Sequence, residues 1–260
     1  MEHNGIIFIL RAENMATTVN NAFEEFIRDK VNLDSDKTKT ARKSRDNLID
    51  NIHSLGSNED FFNLYHDIDI AFGSFARKTK IRPLDDIDIM IGIKSDGSTY
   101  NDFGNVIKIY VNDDNSPQKS CCNENTNVLN STKVINKFIK ELKNLSDYKK
   151  AEIHKSGAAV TLQLKSYEWN FDIVPCFITT VESDGRNYYV IPDGKGNWQK
   201  TDPRKDRDKV STLNQKHNGL MLETIRLVKY WNRRPTMPLM PSYVLECLLL
   251  QYFESVDSVS

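Results

Sequence analysis

Cysteine is scarce and unpatterned in this chain. Its 260 residues hold four, Cys121, Cys122, Cys176 and Cys247, with no Cys-x-x-Cys pair. No histidine lies near the adjacent two, so neither a zinc site nor a disulfide framework is expected, and a reducing compartment fits best. A long apolar run is also missing. The early stretch Ile6 to Leu10 is shorter than the core of a signal peptide, about seven residues or more, and far short of the roughly 20 that span a bilayer. An excess of positive charge is missing too, since 35 Lys and Arg stand against 36 Asp and Glu for a net charge of -1. No overall basic footprint therefore argues for long nucleic acid. There is no internal repeat and no low-complexity segment.

What is present, 39% hydrophobic and 27% charged residues, suits a chain with ample core. Met15, followed by ATTVNNAFEEF, reads as a natural start, with residues 1–14 an extension to which no function is given. Thr17 or Thr18 is expected to cap a helix burying Val19, Phe23, Phe26, Ile27 and Val31. A second helix carries Ala41, Leu48, Ile49 and Ile52 on one side. Its first half clusters Lys37, Lys39, Arg42, Lys43 and Arg45, read as a solvated face in preference to an anion or RNA patch.

Alternating patterns mark strands at His66–Phe72 and Ile87–Ile93, with a further strand at Val106–Val111 before a polar loop. That loop's Asp113 and Asp114 read as turn residues. Asn130 or Ser131 caps a helix through Val134, Ile135, Phe138, Ile139, Leu142 and Leu145. Ala159–Leu164 and Trp169–Val174, the second ended by Pro175, are expected to pair antiparallel. IPDGKGNWQKTDPRKD reads as the turn-rich passage to a helical part, where helices are expected at Gly219–Trp231 and Tyr243–Phe253.

Between the first two strands lies GSFARKTKIRPLDDID, and its chemistry stands out. Residues two apart on a strand share a face, so Asp86 and Asp88 project together while Ile87, Ile89 and Ile91 turn to the core. Paired carboxylates resist joint ionisation unless a divalent cation lies between them, and oxygen-only ligands suit Mg2+ or Mn2+. Gly73 would let backbone approach phosphates closely, and Ser74 offers a hydroxyl and an amide. Asp172, in WNFDIVP, would complete a two-metal site for phosphoryl transfer. Asp67 and Asp69 form a similar couplet but precede the Gly-Ser turn, and read as solvent-facing or structural.

Gly-Ser, Asp-x-Asp and a later strand Asp together resemble the nucleotidyltransferase superfamily of DNA polymerase beta. IRLVKYWN, MPSYVLECLLLQYFE and YVIPDGKGNWQKTDP are more narrowly similar to the CD-NTases, the bacterial relatives of cyclic GMP-AMP synthase and oligoadenylate synthetase that act in anti-phage signalling. The resemblance implies an α/β (α+β) chain of polymerase-beta-like fold. A mixed, mostly antiparallel sheet lobe with N-terminal helices would span residues 15–205, and a helical lobe, smaller than the family's or truncated, residues 206–260. It implies that Lys229 meets the triphosphate, Ser242 a phosphate and Tyr243 the donor base. It also implies Mg2+ or Mn2+, nucleoside triphosphate substrates, a cyclic di- or trinucleotide product sensed by a separate effector protein, a cytoplasmic setting, and no zinc or membrane. The alternatives are a transferase acting on RNA or protein, or a catalytically silent nucleotide-binding member of the fold.

Overall fold

A computed structural model describes residues 18–236 and 238–257, and every structural statement concerns those residues. The extension at 1–14, the start at Met15 and Thr17 as a cap lie outside them. Thr18 caps α1 (Val19–Phe26), its hydroxyl accepting from the Asn21 amide at 3.2 Å. A π-helical turn, Ile27–Val31, follows. The expected burial of one continuous stripe is corrected. Val19 and Phe23, on α1, are 85% and 52% exposed, whereas Ile27 and Val31, the first and last residues of the π-helical turn, are buried.

Asp34 starts α2 (Ser35–Leu55) by accepting from the Asp36 and Lys37 amides, both at 2.9 Å. Ala41, Leu48 and Ile52 then sit on its buried side. Lys37, Lys39 and Arg45 pair with Glu168, Asp36 and Asp46, as a solvated face does. α4 (Ser131–Asn144), capped by Asn130, lies beside it and adds Val134, Ile135, Phe138 and Leu142 to the same core.

These helices cover one face of a mixed sheet: β1 (Ile70–Phe72), β2 (Asp86–Gly92), β3 (Thr99–Asp102), β4 (Ile107–Tyr110), β5 (Glu152–Ser156), β6 (Ala159–Gln163), β7 (Asn170–Ile178), β8 (Tyr189–Pro192) and β9 (Trp198–Thr201). The strands run β1-β2-β7-β8-β9-β4-β3, with β6 and β5 branching from the first half of β7. Every pairing is antiparallel except β2 with β7.

Three expectations are corrected. Only Ile70–Phe72 of the first strand forms; His66–Ile68 close a tight helical turn instead. Asp69 fixes that turn, accepting from the Gly92 amide at 2.7 Å and meeting His53 Nε2 at 2.6 Å. Pro175 does not end its strand. Cys176 offers its carbonyl to Ile93 on the β2 side, so Pro175 turns its missing donor to the other side. There it falls between the last residue of β7 paired with β6 and the first paired with β8, where no donor is needed. The turn-rich passage is itself structured. Asp193 accepts from the Lys195 and Asn197 amides in a hairpin joining β8 to β9, and Asp202 with Pro203 starts α5 (Pro203–Lys216).

α5 crosses the 205/206 division drawn from the sequence. With α6 (Leu220–Asn232) and α7 (Ser242–Ser255) it forms a separate apolar cluster of Val210, Leu213, Met221, Ile225, Leu250 and Phe253. Among the described residues no helix is long and apolar enough to cross a membrane.

Candidate active site

The carboxylates are set by register. Ile87, Ile89 and Ile91 are buried under α2 and α4, which turns Asp86 and Asp88 to the opposite face of β2. The parallel pairing puts Asp172 directly beside Asp88, on the same face. Opposite Asp172 on β6, the Thr161 hydroxyl donates to Asp172 Oδ1 at 2.6 Å. On the other side of β2, Phe72 stands across from Asp88, and the chain turns sharply at Gly73 into α3 (Gly73–Ala76). Gly73 has φ of +70°, and a Cβ there would fall 1.8 Å from Asp88 Oδ2. Only glycine permits both the turn and the approach.

Burial, then the charges of Asp86 and Asp172, push Asp88 up to about 7. Lys80 Nζ meets Asp86 at 2.5 Å and also contacts Asp85. A cation thus already sits on part of the acidic face. The three carboxylates share that face without converging: among the described residues no three His, Cys, Asp or Glu side chains gather closely enough to hold a metal ion.

Beside them opens a cleft of about 550 Å3, lined by Gly73, Ser74 and Asp86 on one side and by Lys229, Ser242 and Tyr243 on the other; Asp88 and Asp172 are not among its lining residues. Lys229 is 4% exposed. Its Nζ donates to Glu246 at 2.6 Å and to the Thr79 carbonyl at 3.1 Å. Glu246 also accepts from Arg77 Nε at 2.6 Å and from the Thr79 hydroxyl at 2.9 Å. Burial lowers the Lys229 pKa against the pull of Glu246, while Arg77 and Lys229 hold the Glu246 carboxyl below its ordinary range although burial opposes them. Tyr243 donates its hydroxyl to Asp206 at 2.9 Å, and the Arg77 guanidinium lies 5.7 Å from its ring centre. Half of that ring remains open to the cleft.

Residues 17–214 match the family described as the Second Messenger Oligonucleotide or Dinucleotide Synthetase domain. The chain belongs to that family. It is accordingly a nucleotidyltransferase of the cyclic-nucleotide-synthase type, and the CD-NTase resemblance read from its motifs holds. Over 243 residues it is 44% identical to a probable cyclic nucleotide synthase of Bacillus cereus (strain VD146), covering 93% of this chain and 73% of that one. Among solved structures it is similar to CdnC of E. coli MS115-1, both in a complex with HORMA-deltaN and with ATP. The TM-scores are 0.60 and 0.59, the identities 22% and 21%, and each match covers 90% of this chain. The chain spans 64% and 65% of those two solved chains, and at such identity the likeness bears on the fold.

Arg77, Thr79, Lys80, Thr161 and Glu246 were not anticipated from the sequence of this synthetase-family chain. Two left a signal. Buried positions on α6 run Met221, Ile225, Lys229, and on α7 Glu246, Leu250, Phe253, so each apolar stripe contains one charged residue. Opposite charges on two such stripes point to a buried pair. The acidic couplets set aside are indeed elsewhere: Asp67 is exposed, Asp69 braces the Gly92 turn, Asp113 accepts from the Asn115 amide and Asp114 pairs with Lys119. All four cysteines are free thiols.

Proposed function

We propose that this chain joins nucleoside triphosphates into a cyclic di- or trinucleotide, using Mg2+ or Mn2+ and releasing pyrophosphate at each bond. The observation that carries this reading is the β2–β7 register, which sets Asp172 beside Asp88 within reach of the Gly73–Ser74 turn. An all-oxygen donor set with one carboxyl raised by burial and then by its acidic neighbours has the electrostatics of a divalent cation site. Asp86, Asp88 and Asp172 would hold the ions once Lys80 leaves Asp86 and the three side chains turn toward one another, and the ions would supply charge neutralisation on the triphosphate and acidify the attacking hydroxyl.

The chain's own groups do the rest. Ser74 donates its hydroxyl and amide to the phosphates, and Gly73 lets them approach the backbone. Asp172 takes the proton of a ribose hydroxyl as its oxygen attacks the α-phosphorus and the bond to the β-phosphate breaks. Lys229 supplies positive charge to the triphosphate, exchanging Glu246 for phosphate oxygens. Ser242 meets a phosphate, and Tyr243 stacks on the donor base with its ring oriented by Asp206. The product serves as a second messenger for a separate effector in anti-phage defence, made in the cytoplasm.

Incubation with the four triphosphates and no other acceptor should give a phosphatase-resistant small product by mass spectrometry. Asp86→Asn combined with Asp88→Asn should abolish it, and undiminished product from that variant would overturn the metal assignment. A competing reading, nucleotide binding without turnover, draws on Lys80 occupying Asp86 and Glu246 occupying Lys229. Calorimetry showing bound ATP together with no product in the same incubation would favour it.

A further inference from the structure

A second cavity of about 250 Å3 shares only Lys80 with the catalytic cleft. It opens between α2, α6 and the turn after α3, and besides Lys80, which is ion-paired with Asp85 and Asp86, its cations come from all three: Arg42, Arg226 and Lys78. No carboxylate lines it. Asn32 and Thr38 contribute polar groups, and Leu33 and Phe75 an apolar wall.

Apart from that of Lys80, the positive charge in this cavity is not paired with a carboxylate. Arg226 is held by neutral acceptors, donating from Nε to Asn32 Oδ1 at 2.7 Å and from a terminal nitrogen to the Lys78 carbonyl at 2.9 Å. Burial lowers its pKa, opposed by the charge of Glu223 one turn before it on α6, with which it forms no ion pair. Arg42 and Lys78 make no ion pair or side-chain hydrogen bond among the described residues, unlike Lys37, Lys39 and Arg45 on the same helix as Arg42. Lys78 has φ of +62°, so its backbone holds an unfavoured conformation while its carbonyl anchors Arg226. Cations from three elements that face one concavity without a counterion repel one another, and an anion bridging them relieves that repulsion.

We propose that this cavity is a second anion site for a small phosphate-bearing ligand of pyrophosphate size, which clamps the turn after α3 to α2 and α6. The guanidinium groups of Arg42 and Arg226 present paired N–H donors suited to phosphate oxygens, and Lys78 adds a point charge. The concave shape and small volume favour such an anion over a nucleic acid duplex. The site goes beyond the synthase reading and stands whatever the catalytic cleft makes.

The test is calorimetry of inorganic pyrophosphate against the full chain at low salt without divalent metal. Wild type and Ser74→Ala, which alters only the catalytic cleft, should bind with the same affinity. Arg42→Gln combined with Lys78→Gln should weaken binding at least about tenfold, the scale of losing charge-assisted phosphate bonds. Both side chains are exposed, so that variant should keep the wild-type melting temperature. Slower hydrogen exchange of the Phe75–Lys80 amides with pyrophosphate would place the ligand at the turn. The proposal is overturned if wild type does not bind, if the double variant binds as wild type, if Ser74→Ala removes the binding, or if a short RNA duplex binds through Arg42 and Lys78 while pyrophosphate does not.

Discussion

Gly73 does two jobs that no other residue can combine. Its φ is left-handed, and any Cβ would overlap the Asp88 carboxylate. Gly73→Ala should therefore cost about 1–3 kcal/mol in stability from backbone strain, and reduce product formation by two orders of magnitude or more by displacing Asp88. Denaturant unfolding and the product assay read the two effects separately. Asp88 itself gives a pH signature in the metal-free protein. Its carboxyl is raised to about 7 on folding, against about 3.9 in an unfolded chain. Between those values the folded state binds more protons than the unfolded, so this contribution to stability is full below about pH 4 and is lost as pH rises through 7. Melting in EDTA from pH 5 to 8 should show that decline, and Asp88→Asn should flatten it.

At the scale of elements, Glu246 ties the turn after α3 to both helices of the cleft's far wall. Removing it leaves Arg77 and Lys229 facing each other without a counterion. Glu246→Ala should destabilise the protein by about 3–5 kcal/mol, as loss of one partner from a buried pair does. Combining it with Lys229→Met should recover part of that loss, and urea unfolding of the single and double variants measures the coupling. The elements read correctly from the sequence were those whose apolar periodicity matched their burial, such as α4 and the β6–β7 pair. β8 and β9 were missed because their strands are four residues each and sit among Asp, Gly and Asn that belong to the hairpin between them. α1 was misread because Val19 and Phe23 keep helical spacing with the buried Ile27 and Val31 while remaining exposed themselves, which no period detects.

For the whole molecule, the cleft joins groups from the sheet, the turn after β1 and two C-terminal helices, so a ligand that spans it should stabilise all of them together. ATP with Mg2+ should raise the melting temperature by several degrees, equivalent to about 2.7 kcal/mol at a hundredfold excess over Kd. The part of that rise that needs Mg2+ should vanish in the Asp86→Asn, Asp88→Asn variant. Hydrogen exchange should report the added protection in both α6 and the Gly73–Lys80 segment.

The sequence alone determined that Asp86 and Asp88 share the face of β2 away from the core, because strand alternation fixes which side chains share a side once the isoleucines between the aspartates claim the core. It also determined the family, through motifs whose order along the chain is as telling as their residues. Only the tertiary structure decided what each cation faces. Lys80 and Arg77 are indistinguishable from surface residues in a string, and their partners lie 6 and 169 positions away. A charge acquires a pKa, a partner and a cost only from the groups that folding places around it, so the buried Glu246 network and the unpaired cations beside α2 became visible only when the chain was closed.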